Sequence, residues 1–437
     1  MFRANPLSLL PTMNREEGKG VYSVCSSNEY VIRAAMRDAV EEGYVLIVES
    51  TANQVNQYGG YTGMTPEDFV LFTTRLAEEE GLDRDHLILG GDHLGPLTWT
   101  DCCESIAMKN SEELIASYVL AGYSKIHIDT SMKLADDPEG PLAVDVSASR
   151  GAQLALVVDK AFREYFKTHP EAPYPVLVVG SEVPIPGGSQ DYEDKLCPTK
   201  REDFLSQVES FRKAFEEKGL DFSNVIGFVV QPGVEFGDSF VFQYDSKAAS
   251  SLMTALKGTY GLVFEGHSTD YQTQKSLSGM VKDGIAILKV GPEFTFRLRE
   301  ALLHLCSIGK EMGIIKGPDF RNVVLSAMDE NPVYWKKYYK GTAEEIQYKK
   351  IYSYSDRIRY YLPSPKVNES IKEMMESIGV IPEGMLSQYF PLQYMRYMDG
   401  RISSEAESVV IDYIRFFCHK YSLATNITKR ETQLSDD

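Results

Sequence analysis

Short runs of β-branched and other apolar residues alternate with longer helix-patterned segments over the first three hundred residues of the chain. The first four runs are VYSVC (Val21 to Cys25), YVLIVES (Tyr44 to Ser50), LILGGDH (Leu87 to His93) and KIHIDTS (Lys125 to Ser131). PVLVVGSE (Pro175 to Glu182), VIGFVVQPG (Val225 to Gly233), GLVFEGH (Gly261 to His267) and IAILKVG (Ile285 to Gly291) follow. Near-continuous apolar runs separated by helical periodicity are the pattern of repeated βα units, whose parallel strands are buried on both faces. The segments between them carry helix signals: SNEYVIRAAMRDAVEEG opens on Ser27 or Asn28 and stops at Gly43, and TPEDFVLFTTRLAEEEG sets Thr65 before Pro66. Eight such units predict an α/β chain built as a (β/α)8 TIM barrel over 21–313, behind a lead-in over 1–20.

Beyond the barrel, residues 314–425 are helix-patterned without further strand runs, so they read as an appended C-terminal helical segment, and 426–437 as a polar tail. Within the segment, NPVYWKKYYKGTAEEIQYKKIYSYSDRIRYYLPSPK crowds aromatic residues among lysines and arginines. Such a stretch builds either a basic-aromatic wall over the barrel mouth or a helical packing face.

Barrel chemistry sits at the C-terminal ends of the strands, and polar residues gather there in this chain. Glu49 ends the second run and leads into STANQVNQYGGYTG, Asp92 and His93 end the third, and His127 and Asp129 lie in the fourth. Glu182 ends the fifth and Gln231 the sixth. Glu265 and His267 end the seventh before Ser268, Thr269 and Asp270, and Lys289 and Gly291 end the eighth. A buried charge is costly unless it is paired, hydrogen-bonded or metal-bound, so these residues call for one another or for a cation. A lone strand histidine is ordinarily a satisfied core group; His93, His127 and His267 at equivalent strand ends favour a shared divalent ion. Imidazole and carboxylate donors suit zinc, with manganese, nickel and cobalt as alternatives. His93, His267 and Glu182 are the first candidate ligands and His127 the next. The alternation KIHID puts His127 and Asp129 on one face and leaves their division of roles open.

The amides of Asn53, Gln54 and Gln57 in NQVNQYGGYTG suit recognition of several hydroxyls, as in a sugar, or else bond only within their own loop. GHSTDYQ and KVGPE stand where barrel enzymes often hold phosphate on backbone amides and a short helix N-terminus, which adds Ser268, Thr269, Asp270, Lys289 and Gly291 to the substrate set. Glu49 and Gln231 complete that set.

The 437 residues include 45 Lys and Arg against 63 Asp and Glu, a net charge of −18, so the overall field repels nucleic acid and anionic membrane surfaces. Six cysteines without a zinc-type CxxC pair read as reduced thiols. The first residues lack the apolar core of a leader, and no run reaches the roughly 18 apolar residues of a membrane span, so a cytoplasmic protein is expected. No GxxxxGK[ST] or protein-kinase signature is present.

ESTANQVNQYGGYTGMTPEDF, LILGGDHLGPLTW, SYVLAGYSKIHIDTSM, VGSEVPIPGG, EGHSTDYQ and LKVGPEFTFRLREAL together resemble the GatZ/KbaZ subunit family of class II D-tagatose-1,6-bisphosphate aldolase. The resemblance implies a barrel, a place in galactitol or amino-sugar breakdown, and association with a catalytic class II aldolase subunit. At greater distance, GGDHLG and GHST are similar to the zinc site of class II aldolases. That similarity implies Asp92 in proton transfer, His93 and His267 on the metal and Glu182 near it, with Gln231 standing where those enzymes carry a further zinc histidine. Asp92, Glu182 and Asp129 are the candidate catalytic groups. The expected activity is aldol or retro-aldol chemistry on a ketohexose phosphate in an aldolase subunit; the alternatives are an autonomous ketose-phosphate 4-epimerase acting on fructose or tagatose 6-phosphate, and a non-catalytic stabilising subunit. Expected partners are that sugar, the aldolase subunit and further copies of the chain.

Overall fold

Each apolar run supplies a strand in a computed structural model that describes residues 2–180, 196–259 and 261–428. They are β1 (Val21–Cys25), β2 (Leu46–Thr51), β3 (Leu87–Leu94), β4 (Lys125–Ile128), β5 (Val176–Val179) and β6 (Val225–Val230). After a short antiparallel hairpin of β7 (Glu235–Phe236) and β8 (Val241–Phe242) come β9 (Val263–Gly266) and β10 (Ile285–Val290). Excluding the hairpin, eight parallel strands close into a barrel, with Val21 to Val24 of β1 registered on Ile287 to Val290 of β10. The predicted (β/α)8 architecture is therefore the architecture observed.

Successive side chains on a strand point to opposite faces, so one set of alternate residues fills the barrel and the other meets the helices. Ile47, Ile88, Val176, Val178, Ile226, Val229, Val263 and Ile287 pack as one inner cluster, β-branched throughout. Leu7 and Leu10, from the helical turns Pro6–Leu9 and Leu10–Glu17, join it. The lead-in expected over 1–20 is thus partly helical and contributes to the inner core.

The C-terminal segment folds as helices that include Phe320–Glu330, Ala343–Tyr352, Pro365–Ile378 and Ala406–Ala424. The last packs on the helices Glu29–Glu42 and Pro292–Glu311. Its Tyr421 hydroxyl lies 2.9 Å from the Thr269 carbonyl and 2.7 Å from Glu293 Oε2, tying the extension to the loop after β9. Among the described residues no helix is long and apolar enough to cross a membrane.

Candidate metal centre at the barrel mouth

Two residues beyond the apolar layer, and therefore on the same inward faces, the strands turn ionic. Glu49 follows Ile47, Glu265 follows Val263 and Lys289 follows Ile287. Lys125 Nζ, fully buried, lies 2.7 Å from Glu49 Oε1 and 2.7 Å from Glu265 Oε2. Lys289 Nζ bridges Glu49 Oε2 and Asp92 Oδ1, the latter at 2.8 Å. Gly90 makes room for this arrangement, because a Cβ there would stand 2.6 Å from Glu49 Cγ. Similarly, a Cβ on Gly95 would meet the Asp129 carbonyl oxygen at 1.9 Å, so the LGGDHLG run needs its glycines where β2 and β4 approach β3.

His93, His127 and His267 meet above this layer with ring centroids 4.9 to 5.1 Å apart. His93 and Ser268 both adopt left-handed backbone, at φ 51° and 53°, a strain of about 1–3 kcal/mol each of the kind that concentrates at functional sites. Asp129 Oδ2 holds His93 Nδ1 at 2.9 Å, while Asp129 Oδ1 accepts from the Ser131 amide and hydroxyl. Burial alone would depress His93, but Asp92 and Asp129 outweigh it and raise the imidazole to about 9. Burial favours a neutral Glu265, yet Lys125 and then His267 draw its carboxyl down to about 2. In Asp92 the same contest is won by the three imidazoles, which hold the carboxyl far below its usual range. Burial lowers Lys289 to about 8 and raises the neighbouring Cys25 thiol to about 12.

These residues fit a divalent cation on three grounds. Asp92, His127, Glu265 and His267 each present a donor atom within 4.8 Å of the others, all buried. The amide of His93 donates to His127 Nδ1 at 3.1 Å, yet Asp92 Oδ1 stands 2.9 Å from the same nitrogen. One ring nitrogen cannot accept from the amide and donate to the carboxylate at once, and Nε2 of that ring is buried without a hydrogen-bond partner among the described residues. Finally, among the described residues Glu49, Asp92, Asp129 and Glu265 face Lys125 and Lys289 as permanent cations, which leaves two negative charges for an ion or imidazolium to balance. Cys25, Glu49 and Asp92 form a second donor group, but there the ammonium of Lys289 already occupies the cation's position against both carboxylates.

A cavity of about 290 Å³ opens above the cluster. Of the residues singled out in the sequence, Asp92, His93, His267 and Lys289 line it from below, and Asn53, Gln54, Ser268, Asp270 and Gly291 line it from the loops. Glu49, His127 and Asp129 lie beneath its surface, in contact with the lining residues. Three substrate candidates are engaged elsewhere. Gln57 donates to the Asn110 carbonyl, Gln231 Oε1 caps the Gly233 and Val234 amides of its own turn, and Thr269 donates to the Lys289 carbonyl. Glu182 lies outside the described residues.

Two contributors carry no site role in the sequence reading: Glu265, counted there only as a polar strand end, and Lys125. Glu265 stands two residues before His267 on one strand face, and Lys125 two before His127, so the same period-two reading that joined His127 to Asp129 would have found both. Arg359, Tyr360 and Lys372 of the C-terminal segment also line the cavity, and only the basic-aromatic composition of that stretch pointed toward them.

A parallel barrel with histidines and carboxylates clustered at its C-terminal mouth belongs to the broad class of (β/α)8 proteins with a candidate metal centre. More specifically, the chain is a member of the D-tagatose-1,6-bisphosphate aldolase subunit GatZ/KbaZ-like family, whose model matches residues 7–426. A probable tagatose 6 phosphate kinase from Sinorhizobium meliloti 1021 is 40% identical, with a TM-score of 0.84 over 93% of this chain and 100% of that one. A fructose-bisphosphate aldolase from Campylobacter jejuni is far more distant, at 13% identity and TM-score 0.46 over 85% of this chain and 91% of that one. The fructuronate-tagaturonate epimerase UxaE from Cohnella laeviribosi is 10% identical, with TM-score 0.49 over 94% of this chain and 82% of that one.

Proposed function

We propose that the chain is an aldolase subunit whose own barrel mouth carries out metal-dependent aldol or retro-aldol chemistry on a ketohexose phosphate. The observation that carries this reading is the buried Asp92, His127, Glu265 and His267 cluster under a cavity of sugar size, in a member of an aldolase-subunit family. His127, Glu265 and His267 would hold the ion, with Asp92 beside them; mixed imidazole and carboxylate donors suit zinc first, then manganese, cobalt or nickel. Bound there, a divalent ion supplies Lewis-acid polarisation of the substrate carbonyl.

The remaining work falls to the chain itself. Asp92 is the carboxylate of the cluster that also lines the cavity, and it is placed to take the proton of the substrate hydroxyl as the C3–C4 bond breaks and to return it as the bond forms. The three imidazoles keep that carboxylate ionised before the proton arrives, and Lys289 lies 2.8 Å from its Oδ1. Asp129 fixes the His93 ring so that Nε2 is left for the cavity side. Asn53 and Gln54 offer amides to the sugar hydroxyls.

Retro-aldol cleavage followed by re-addition to the opposite face would make the same site a 4-epimerase. Phosphoryl transfer, which the name of the 40% identical relative suggests, draws no support from the sequence, which has no Walker-type glycine loop.

Metal analysis of purified protein tests the proposal. His127→Ala and His267→Ala should each lose the ion while the far-ultraviolet dichroism of the barrel is kept. Asp92→Asn should keep the ion and lose about 100- to 10,000-fold in turnover. Unchanged metal content in both histidine variants would remove the proposed site, and full turnover in Asp92→Asn would remove Asp92 as the proton carrier.

A further inference from the structure

An anionic substrate end could be met at two places in the cavity, and one of them is already taken. At the N-terminus of the helix Pro292–Glu311, the first amides and the helix dipole would ordinarily attract a phosphate. Here Asp270 Oδ1 accepts from Gly291 N at 3.0 Å and from Glu293 N at 2.7 Å. Pro292 has no N–H, and Phe294 N is bonded to the Gly291 carbonyl at 3.1 Å. The amides of Gly291, Glu293 and Phe294 at this helix end are therefore already engaged by the protein's own carboxyl group and backbone.

The second place is the guanidinium of Arg359, in the turn Ile358–Tyr360 of the C-terminal segment, which lines the same cavity as His93, His267 and Lys289. Several other poorly exposed arginines of this chain face carboxylates: Arg150 faces Asp137, Arg415 faces Asp38, and Arg299 lies 3.7 Å from Asp356, whereas Arg357 packs on the Tyr338 ring away from the cavity lining. Among the described residues Arg359 forms no ion pair, and its hydrogen bond is to the Tyr360 hydroxyl at 3.0 Å. It is held in place by aromatic packing. The guanidinium carbon lies 4.8 Å from the Tyr360 ring, which stacks on Tyr334 at 5.0 Å and meets Tyr61 edge-on at 5.0 Å. Lys372, from the helix Pro365–Ile378, adds a second cation at the exposed edge of the cavity. A planar guanidinium with unused donors matches the two oxygens of a phosphate or carboxylate.

We infer that Arg359, assisted by Lys372, binds the terminal oxyanion of the substrate, a phosphate or carboxylate on a polyhydroxylated chain, so that the C-terminal helices form half of the binding site. The inference rests on the cavity being the ketose site proposed above. It moves the anion contact away from the loops after β9 and β10, where the sequence pattern had placed it, and onto the extension.

Calorimetric titration of the full chain with fructose, fructose 6-phosphate and a six-carbon keto-acid sugar tests it. The parent should bind at least one of the two anionic sugars about 10- to 100-fold more tightly than fructose, the range expected for charge-assisted hydrogen bonds. The tighter of the two identifies whether the oxyanion is a phosphate or a carboxylate. Arg359→Gln should bring that ratio to near one without changing fructose affinity, and Arg359→Lys should restore part of it. A second readout avoids any variant: inorganic phosphate should protect Arg359 of the parent protein from phenylglyoxal modification, followed by peptide mass spectrometry. Retained preference in Arg359→Gln, no preference in the parent, or, where fructose 6-phosphate is the tighter ligand, no protection by phosphate would each overturn the inference. Repeating the titration in His267→Ala separates the two claims, because oxyanion preference there without turnover in the parent leaves Arg359 in its role and removes the catalytic reading.

Discussion

The two ends of the barrel interior are built on the same strands and behave as opposites. Ile47, Val263 and Ile287 seal the lower layer with apolar side chains, while Glu49, Glu265 and Lys289, two residues further along the same faces, form the upper one. Burying a β-branched residue stabilises the fold by about 1.5–3 kcal/mol and needs no partner. Burying a carboxylate or ammonium costs several kcal/mol before its partners offset it, so the upper layer is stable only as a completed circuit. Stability is thus concentrated below and chemistry above, and the pairing Glu265–Lys125–Glu49–Lys289–Asp92 is the price of placing titratable groups under the cavity.

Breaking the circuit should have the largest effect on folding. Lys125→Met removes the cation shared by two buried carboxylates and should cost about 3–5 kcal/mol in urea unfolding; a loss under about 1 kcal/mol would mean that the circuit is not balanced as described. Ile287→Ala, in the lower layer, should cost about 2–4 kcal/mol through the cavity it leaves, with metal content unchanged. Loss of metal in that variant would dissolve the distinction between the two layers.

A third effect, spread over the pH scale, concerns Asp270. Burial, aided by Glu293 and opposed by the Gly291 and Glu293 amides, raises its carboxyl from 3.8 to about 7, with Arg359 the nearby cation that draws it down. Between those values the folded chain keeps a proton that the unfolded chain has released. The resulting stability is complete below about pH 4 and is lost as pH rises toward 7, at no more than about 1.4 kcal/mol per pH unit. Asp270→Asn keeps the acceptor without the titration, so its unfolding free energy should be flatter across that window. An unchanged slope would assign the proton elsewhere.

The barrel was legible because its strands are buried on both faces and its helices carry clear stops, so apolar runs and punctuation marked each unit. VYSVC is β1 to the residue, and LILGGDH falls one residue short of β3. The hairpin Glu235–Phe236 and Val241–Phe242 went unseen, since two-residue strands leave no periodic signal. Within the site, Asp92, His93 and His267 could be placed at the mouth from strand position alone. Which nitrogen meets which carboxylate depends on pairings such as Lys125 with Glu265, 140 residues apart, that no local pattern encodes. Arg359 was harder still, because its position depends on how the C-terminal helices fold back over the barrel.

The most direct test of the account is to incubate the purified, metal-replete chain, without a partner, with fructose 6-phosphate, tagatose 6-phosphate and tagatose 1,6-bisphosphate and to follow the products by NMR. Triose phosphates or a C4 epimer, abolished by chelator and restored by metal, is the predicted result. No product from the chain alone, together with stimulation of an added class II aldolase, would contradict it and make this barrel a stabilising subunit.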